Sequence, residues 1–340
     1  MRKFEGYTHG INFGGWFSQC DNTEERYDTF ITEKDFETVK NWGLDHVRIP
    51  VDYNLVQNED GSFKPQGFER IQKCIDWCHK YGLNMILDLH KTIGFSFDKG
   101  ENEEGFFEKE SYQILFYRLW AEFAKQFGKS DNIAFELLNE VTYETYKDAW
   151  NRISTEAIRH IRDFAPEVKI LVGGYHNNSV EAVKDLAMPY DNNIVYNFHC
   201  YNPIIFTHQG AYWIDTMDRN FRMSFDATYA QYRTKTLDVV GEYYNGQLPD
   251  SEEKLDEKYF DSLFSEAVKV CEERDVPLYC GEYGVIDLTD PADALKWYRC
   301  ISRIFDKYEI GRAAWTYREM DFGLVGDHYR DVREEIIKLL

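Results

Sequence analysis

Residues 65–90 read PQGFERIQKCIDWCHKYGLNMILDLH, and the succession of patterns inside this stretch decides the fold. Over residues 65–81 the apolar side chains return at three-and-four spacing, which predicts an amphipathic helix. Tyr81-Gly82 punctuates it. Residues 83–89 then form a short apolar run, as expected of a buried strand, and the run ends on the polar tip Asp88-Leu89-His90.

The same unit recurs along the chain. Strands are predicted at 9–13, 44–49, 83–89, 133–138, 169–172, 194–198, 278–282 and 311–316, with helical periodicity at 32–41, 65–81, 109–127, 143–164 and 293–307. Alternating elements of this kind give a parallel sheet with crossover helices. Eight units close into a (β/α)8 TIM barrel, which typically needs about 250 residues. The 340-residue chain exceeds that by roughly 90. Much of the surplus lies at 202–257, after the sixth strand, where Tyr, Phe, Trp, Met and acids accumulate without a clear strand. We expect one catalytic domain, 1–340, with 202–257 as an inserted, partly helical subdomain on its catalytic face. The rival, an open doubly wound sheet, wants a glycine-rich phosphate turn, and neither GxGxxG nor GxxxxGK[ST] occurs.

Composition excludes other classes. Lys and Arg total 39 against 60 Asp and Glu, a formal charge of −21, which repels nucleic acid and anionic membrane surfaces. No apolar stretch reaches the roughly 18 residues a spanning helix requires. The N-terminal residues, Met1 to Gly6, carry no secretory pattern, and seven cysteines cannot all pair within one chain. A cytoplasmic protein is expected, or a secreted one whose signal has been removed. Cys74 and Cys78 stand four apart on a helix, but no second pair matches them. They read as small buried side chains rather than metal ligands. Aromatic residues make up 16% of the chain, enough to fill a large core and also line a groove for flat, weakly charged ligands.

Active residues of a (β/α)8 barrel stand at the C-terminal ends of its strands. Those ends carry Arg48-Ile49-Pro50, Asp88-Leu89-His90, Asn139-Glu140, His199-Cys200-Tyr201, Gly281-Glu282-Tyr283-Gly284 and Trp315-Thr316-Tyr317. Glu140 and Glu282 follow apolar strands with no structural need for a terminal charge. Either alone reads as well as half of a buried salt bridge. Together, across a mouth ringed by Arg, His, Asn, Tyr and Trp, they read as an acid and a nucleophile whose pKa values their surroundings push apart.

These motifs resemble glycoside hydrolase family 5, the cellulase A family. The likeness runs from Gly14-Gly15-Trp16 to Met320-Asp321-Phe322 and is nearest to clostridial endoglucanases with an insertion after strand 6. It implies a retaining endo-β-glucanase acting on β-1,4-glucan or mixed-linkage β-glucan, with Glu140 as acid/base and Glu282 as nucleophile. Arg48 and Tyr201 then keep Glu282 ionised, Asn139 binds the sugar 2-hydroxyl, and His199 and His90 contact hydroxyls or orient the glutamates. Trp315 supplies a stacking face. Trp16 and Trp213 are expected as further platforms, with Phe95, Phe97, Phe206 and Tyr212 as weaker candidates.

A β-mannanase or xyloglucanase of the same family is the nearest alternative. An inactive sugar-binding protein and a metal-dependent hydrolase are the readings of other classes. No cofactor and no metal are expected, since HExxH, a strand-1 His-x-His and an EF-hand loop are all missing. The expected partner is a β-glucan polysaccharide or oligosaccharide, bound by a monomer. Asp321-Phe322-Gly323 matches a kinase tripeptide in letters only, because no VAIK-like lysine or HRD loop accompanies it.

Overall fold

A computed structural model describes residues 1–98, 100–101, 104–241 and 248–340. Eight parallel strands form a closed barrel in chain order: β1 (His9–Asn12), β2 (His46–Asp52), β3 (Asn84–Lys91), β4 (Ile133–Glu136), β5 (Lys169–Val172), β6 (Ile194–Cys200), β7 (Leu278–Tyr283) and β8 (Gly311–Ala314). The first crossover helices are α1 (Glu33–Asn41), α2 (Pro65–Tyr81), α3 (Glu110–Phe127) and α4 (Lys147–Arg162), each expected from periodicity, whereas the 18-residue helix Glu257–Arg274 before β7 was not. In α2, Pro65 opens the first turn, and Gly82 closes the helix at φ 62°, a left-handed cap that glycine adopts without a Cβ clash. Its buried face is Phe68, Ile71, Cys74, Ile75 and Cys78, so the paired cysteines are core side chains.

Alternation along the strands sorts the barrel interior into layers. Ile86, Ala134, Leu171, Val195, Tyr279 and Ala313 fill the lower layer, closed from beneath by Phe4 and Tyr7. Two residues further along β3, β4, β6 and β7 stand Asp88, Glu136, Asn197 and Gly281, so the next layer is polar. The period of two therefore carries charge into the barrel just below its mouth.

Strand ends differ from expectation where the site is built. β4 stops at Glu136 instead of 138, because the chain leaves the ladder and turns Asn139 and Glu140 into the mouth; Glu140 has φ 35°. β8 stops at Ala314, and β6 runs on through His199 to Cys200. The register of β7 slips against both neighbours around Gly281, with Phe198 opposite Cys280 but His199 opposite Glu282. This bulge re-aims Glu282 inward. A Cβ at residue 281 would meet Asn197 Oδ1 at 2.8 Å and His199 Nε2 at 3.0 Å, so only glycine fits there.

The insertion begins after β6 and reaches α6 (Glu257–Arg274), with α5 (Tyr229–Val239) inside it. It is fused to the barrel. Phe206 packs on Phe225 at 5.6 Å and on Tyr232 at 6.4 Å, Ile286 donates its N–H to Thr207, and Phe225 donates to Asp293 of α7 (Pro291–Tyr308). Among the described residues no helix is long and apolar enough to cross a membrane.

Candidate active site

Above the polar layer lies a cleft of about 720 Å³, lined by residues from the ends of β3 to β8 and by the insertion. Arg48, fully buried, organises its floor. Its Nε and Nη2 donate to the two carboxylate oxygens of Glu136 at 2.7 and 2.8 Å, and Nη2 also reaches Asn139 Oδ1 at 2.8 Å and Asp88 Oδ2 at 3.0 Å. Its Nη1 donates to Asn12 Oδ1 at 2.9 Å and to Glu282 Oε1 at 2.8 Å. One cation thus serves three buried acids, and burial pushes Asp88 and Glu136 up toward their neutral forms.

Glu282 is held from both sides. Tyr201 donates its hydroxyl to Oε2 at 2.8 Å, and His199 Nδ1 lies 3.7 Å from the same oxygen. Glu140 takes a different set: His199 Nδ1 at 2.8 Å on Oε1 and Asn177 Nδ2 at 2.9 Å on Oε2. Asn178 Nδ2 approaches His199 Nε2 at 3.4 Å, which makes Nε2 the acceptor and leaves the proton on Nδ1, facing Glu140. Burial drops His199 to about 4, so the ring is neutral at neutral pH. One carboxylate oxygen each of Glu140 and Glu282 lie within 4.8 Å of each other.

Burial pushes both glutamates up to about 7. What distinguishes them is their partners: Glu282 has Arg48 and a tyrosine hydroxyl in direct contact favouring its carboxylate, whereas Glu140 has Asn177 and only the more distant charge of Arg48. Direct contact with a cation and a hydroxyl donor favours the carboxylate form of Glu282.

Two further groups are poised toward the cleft with unmet hydrogen-bonding capacity. Among the described residues Asn139 Nδ2 is buried without a partner, and so is Nε2 of His90, whose Nδ1 is bound to Asp88 Oδ2 at 2.5 Å. Trp315 lies parallel to His90, ring centroids 6.0 Å apart, and lines the cleft with Trp213, Tyr212 and Phe97.

Three expected platforms are core residues instead. Trp16 is 2% exposed, its ring stacked on Phe17 at 3.8 Å, edge-on to Phe36 of α1, and its Nε1 donating to Tyr27 O at 2.9 Å. The chain after β1 turns it away from the mouth into the gap beneath α1. Phe95 and Phe206 are buried in the same sense.

The Cellulase (glycosyl hydrolase family 5) model matches residues 8–321. The chain belongs to glycoside hydrolase family 5. It is 48% identical over 320 residues to Cellodextrinase A of Ruminococcus flavefaciens, covering 94% of this chain and 88% of that one. It is 36% identical to Endoglucanase C of Acetivibrio thermocellus, covering 97% of each. Among solved structures, the Clostridial cellulose synthase subunit Z of Clostridioides difficile superposes with a TM-score of 0.78 at 24% identity, over 97% of this chain and 99% of that one. This last likeness shows the fold.

Three residues of this family 5 glycoside hydrolase's site, Glu136, Asn177 and Asn178, escaped the sequence reading, which placed Asp88 at a strand tip without giving it a role. Glu136 and Asp88 are the counter-charges of Arg48, and their signal was acids set inside apolar strands. Asn177 and Asn178 come from a turn after β5 in which His176, Asn177 and Asn178 have φ of 51°, 57° and 55°. No periodicity announces such a turn.

Proposed function

We propose that this family 5 enzyme is a retaining β-glucanase that cuts β-1,4-linked or mixed-linkage glucan chains and their soluble oligosaccharides internally. The observation that carries the mechanism is the short distance between Glu140 and Glu282. Retaining enzymes hold their carboxyl groups about 5–5.5 Å apart, whereas inverting ones need about 6.5–9.5 Å to admit a water between carboxylate and sugar. One oxygen of each lies within 4.8 Å of the other, which favours the closer, retaining arrangement.

In the first step an oxygen of ionised Glu282 bonds to the anomeric carbon. The glycosidic C–O bond breaks, and its oxygen leaves with the proton of Glu140. In the second step Glu140, now a carboxylate, takes a proton from water as that water attacks the anomeric carbon and frees Glu282. Arg48 and Tyr201 hold Glu282 in the attacking state. Asn139 Nδ2 and His90 Nε2 offer an amide donor and an imidazole acceptor for hydroxyls of the sugar being opened, and Trp315 offers it an apolar face. The names of the two sequence relatives, a cellodextrinase and an endoglucanase, support glucan as the substrate and short chains among its forms. The odd cysteine count supports a reducing compartment, and we read the enzyme as a monomer, a point light scattering checks.

Nuclear magnetic resonance of cellotetraose hydrolysis tests the mechanism. The β-anomer of the new reducing end should appear first, and initial release of the α-anomer would overturn it. Reducing-sugar release from β-glucan, mannan and xyloglucan assigns the substrate, and mannan preferred over glucan moves the assignment to a mannanase. Binding without turnover would mark a sugar-binding protein. Glu140, His199 and Glu282 also form a set able to hold a metal ion, so activity abolished by a chelator and restored by zinc would favour a metal-dependent hydrolase.

A further inference from the structure

The Asp321-Phe322-Gly323 tripeptide has no part in the chemistry above, yet the chain goes to some length to place it. Beyond β8, Glu319, Met320 and Asp321 all adopt left-handed backbone, with φ of 56°, 53° and 60°. A non-glycine residue is strained there and persists only where its surroundings enforce it. Here they do. Asp287 donates its N–H to the Asp321 carbonyl at 2.7 Å, Phe322 N–H returns to Glu319 O at 3.3 Å, and Arg26 grips the Glu319 carboxylate at 3.2 Å. Gly323 closes the turn against Glu319 N, where a Cβ would come within 2.4 Å.

The turn after β5 is built the same way, and its product is Asn177 delivered onto Glu140. The turn after β8 delivers Asp321. This residue lines the same cleft and is half-buried, and its carboxylate has neither a hydrogen-bond nor an ion-pair partner among the described residues. Its charged neighbour is Asp287, another acid, which its charge repels. A half-buried carboxylate without donors is unfavourable, so its placement calls for donors from outside the protein. The surfaces lining the cleft beside it are apolar and aromatic: Phe322 stands 6.4 Å from Trp213 and 5.6 Å from Tyr201. A carboxylate beside flat apolar faces complements a pyranose ring, which presents hydroxyl donors at its edge and C–H groups on its faces.

We propose that Asp321 is a substrate-binding residue whose carboxylate accepts hydrogen bonds from the hydroxyls of a glucosyl unit seated against Trp213 and Phe322. The β8 loop faces β4 across the barrel, so this unit is separate from the leaving-group oxygen that Glu140 protonates. The inference rests on reading the cleft as a glucan site, and it makes Asp321 a determinant of how the chain is gripped rather than of bond cleavage.

Asp321→Asn is the decisive variant, because asparagine tolerates left-handed backbone as aspartate does and the turn is retained. Its kcat/KM should fall at least 10-fold on cellotetraose and cellopentaose, carried by KM, with a smaller fall on cellobiose. In a Glu282→Gln background, calorimetric titration with cellotetraose should show Kd at least 10-fold weaker when Asp321→Asn is added. Unchanged KM and Kd at every chain length would overturn the assignment, as would an equal loss of kcat at all lengths accompanied by a lower Tm, the mark of a purely structural turn. If the wild type turns over none of these sugars, the glucanase reading fails on its own, while the titration still decides whether Asp321 holds them.

Discussion

Arg48 Nη1 donates to Glu282 Oε1 at 2.8 Å with both side chains buried. The same guanidinium also bonds Glu136 and Asp88, so the nucleophile shares its cation with two further buried carboxylates, and burial pushes both of those up. Replacing Arg48 by methionine strands three buried acids. The expected cost is about 3–5 kcal/mol of stability, read as a lower midpoint in urea unfolding. Arg48→Lys keeps a cation but loses the fork that reaches Glu136 and Glu282 together. It should fold and show the acid limb of its kcat/KM profile displaced to higher pH, because a weaker cation lets the Glu282 pKa rise. An unmoved acid limb would separate Arg48 from the nucleophile.

Glu140 and Glu282 should fail in distinguishable ways. Each alanine variant loses several orders of magnitude in turnover on β-glucan. With an aryl cellobioside, whose leaving group needs no acid, Glu140→Ala should still form the glycosyl-enzyme, and added azide should release a β-glycosyl azide. Azide with Glu282→Ala should instead attack from the vacated face and give the α-product. Identical products from the two variants would contradict the assigned roles.

Asn177 tunes the acid. Its amide donates to Glu140 and so favours the carboxylate, lowering a pKa that burial pushes up to about 7. Asn177→Ala removes that donor, and Glu140 then stays protonated to higher pH. The alkaline limb of kcat/KM should move upward while the acid limb, governed by Glu282, stays in place. A downward shift would show that the amide serves the protonated form.

Trp16 and Trp315 separate core from cleft. Trp16→Ala removes a fully enclosed indole and should cost about 3–5 kcal/mol, with KM for cello-oligosaccharides unchanged in the protein that remains folded. Trp315→Ala opens the wall beside His90, and KM should rise. A raised KM in Trp16→Ala, with stability retained, would restore it as a sugar platform.

The eight strands and the groups at their tips could be found from residue pattern along the chain. The signals are local: apolar runs led in by glycine turns, each ending on a polar tip such as Asp88-Leu89-His90 or His199-Cys200-Tyr201. Glu140 and Glu282 were legible because each breaks an apolar run at a place where the fold allows chemistry.

Tertiary structure alone decided the rest. Trp16 and Trp315 both follow a strand, and what distinguishes them is that Phe36 of helix α1 packs over Trp16, a contact set by how the helix lies on the barrel and not by the residues flanking either tryptophan. Asn177 reaches Glu140 and Asp321 reaches the cleft through runs of left-handed backbone that no residue pattern announces. The near-equal upward push on the two glutamates arises because desolvation acts on both alike, and only the placement of Arg48, Tyr201, His199 and Asn177 around them makes one the nucleophile and the other the acid.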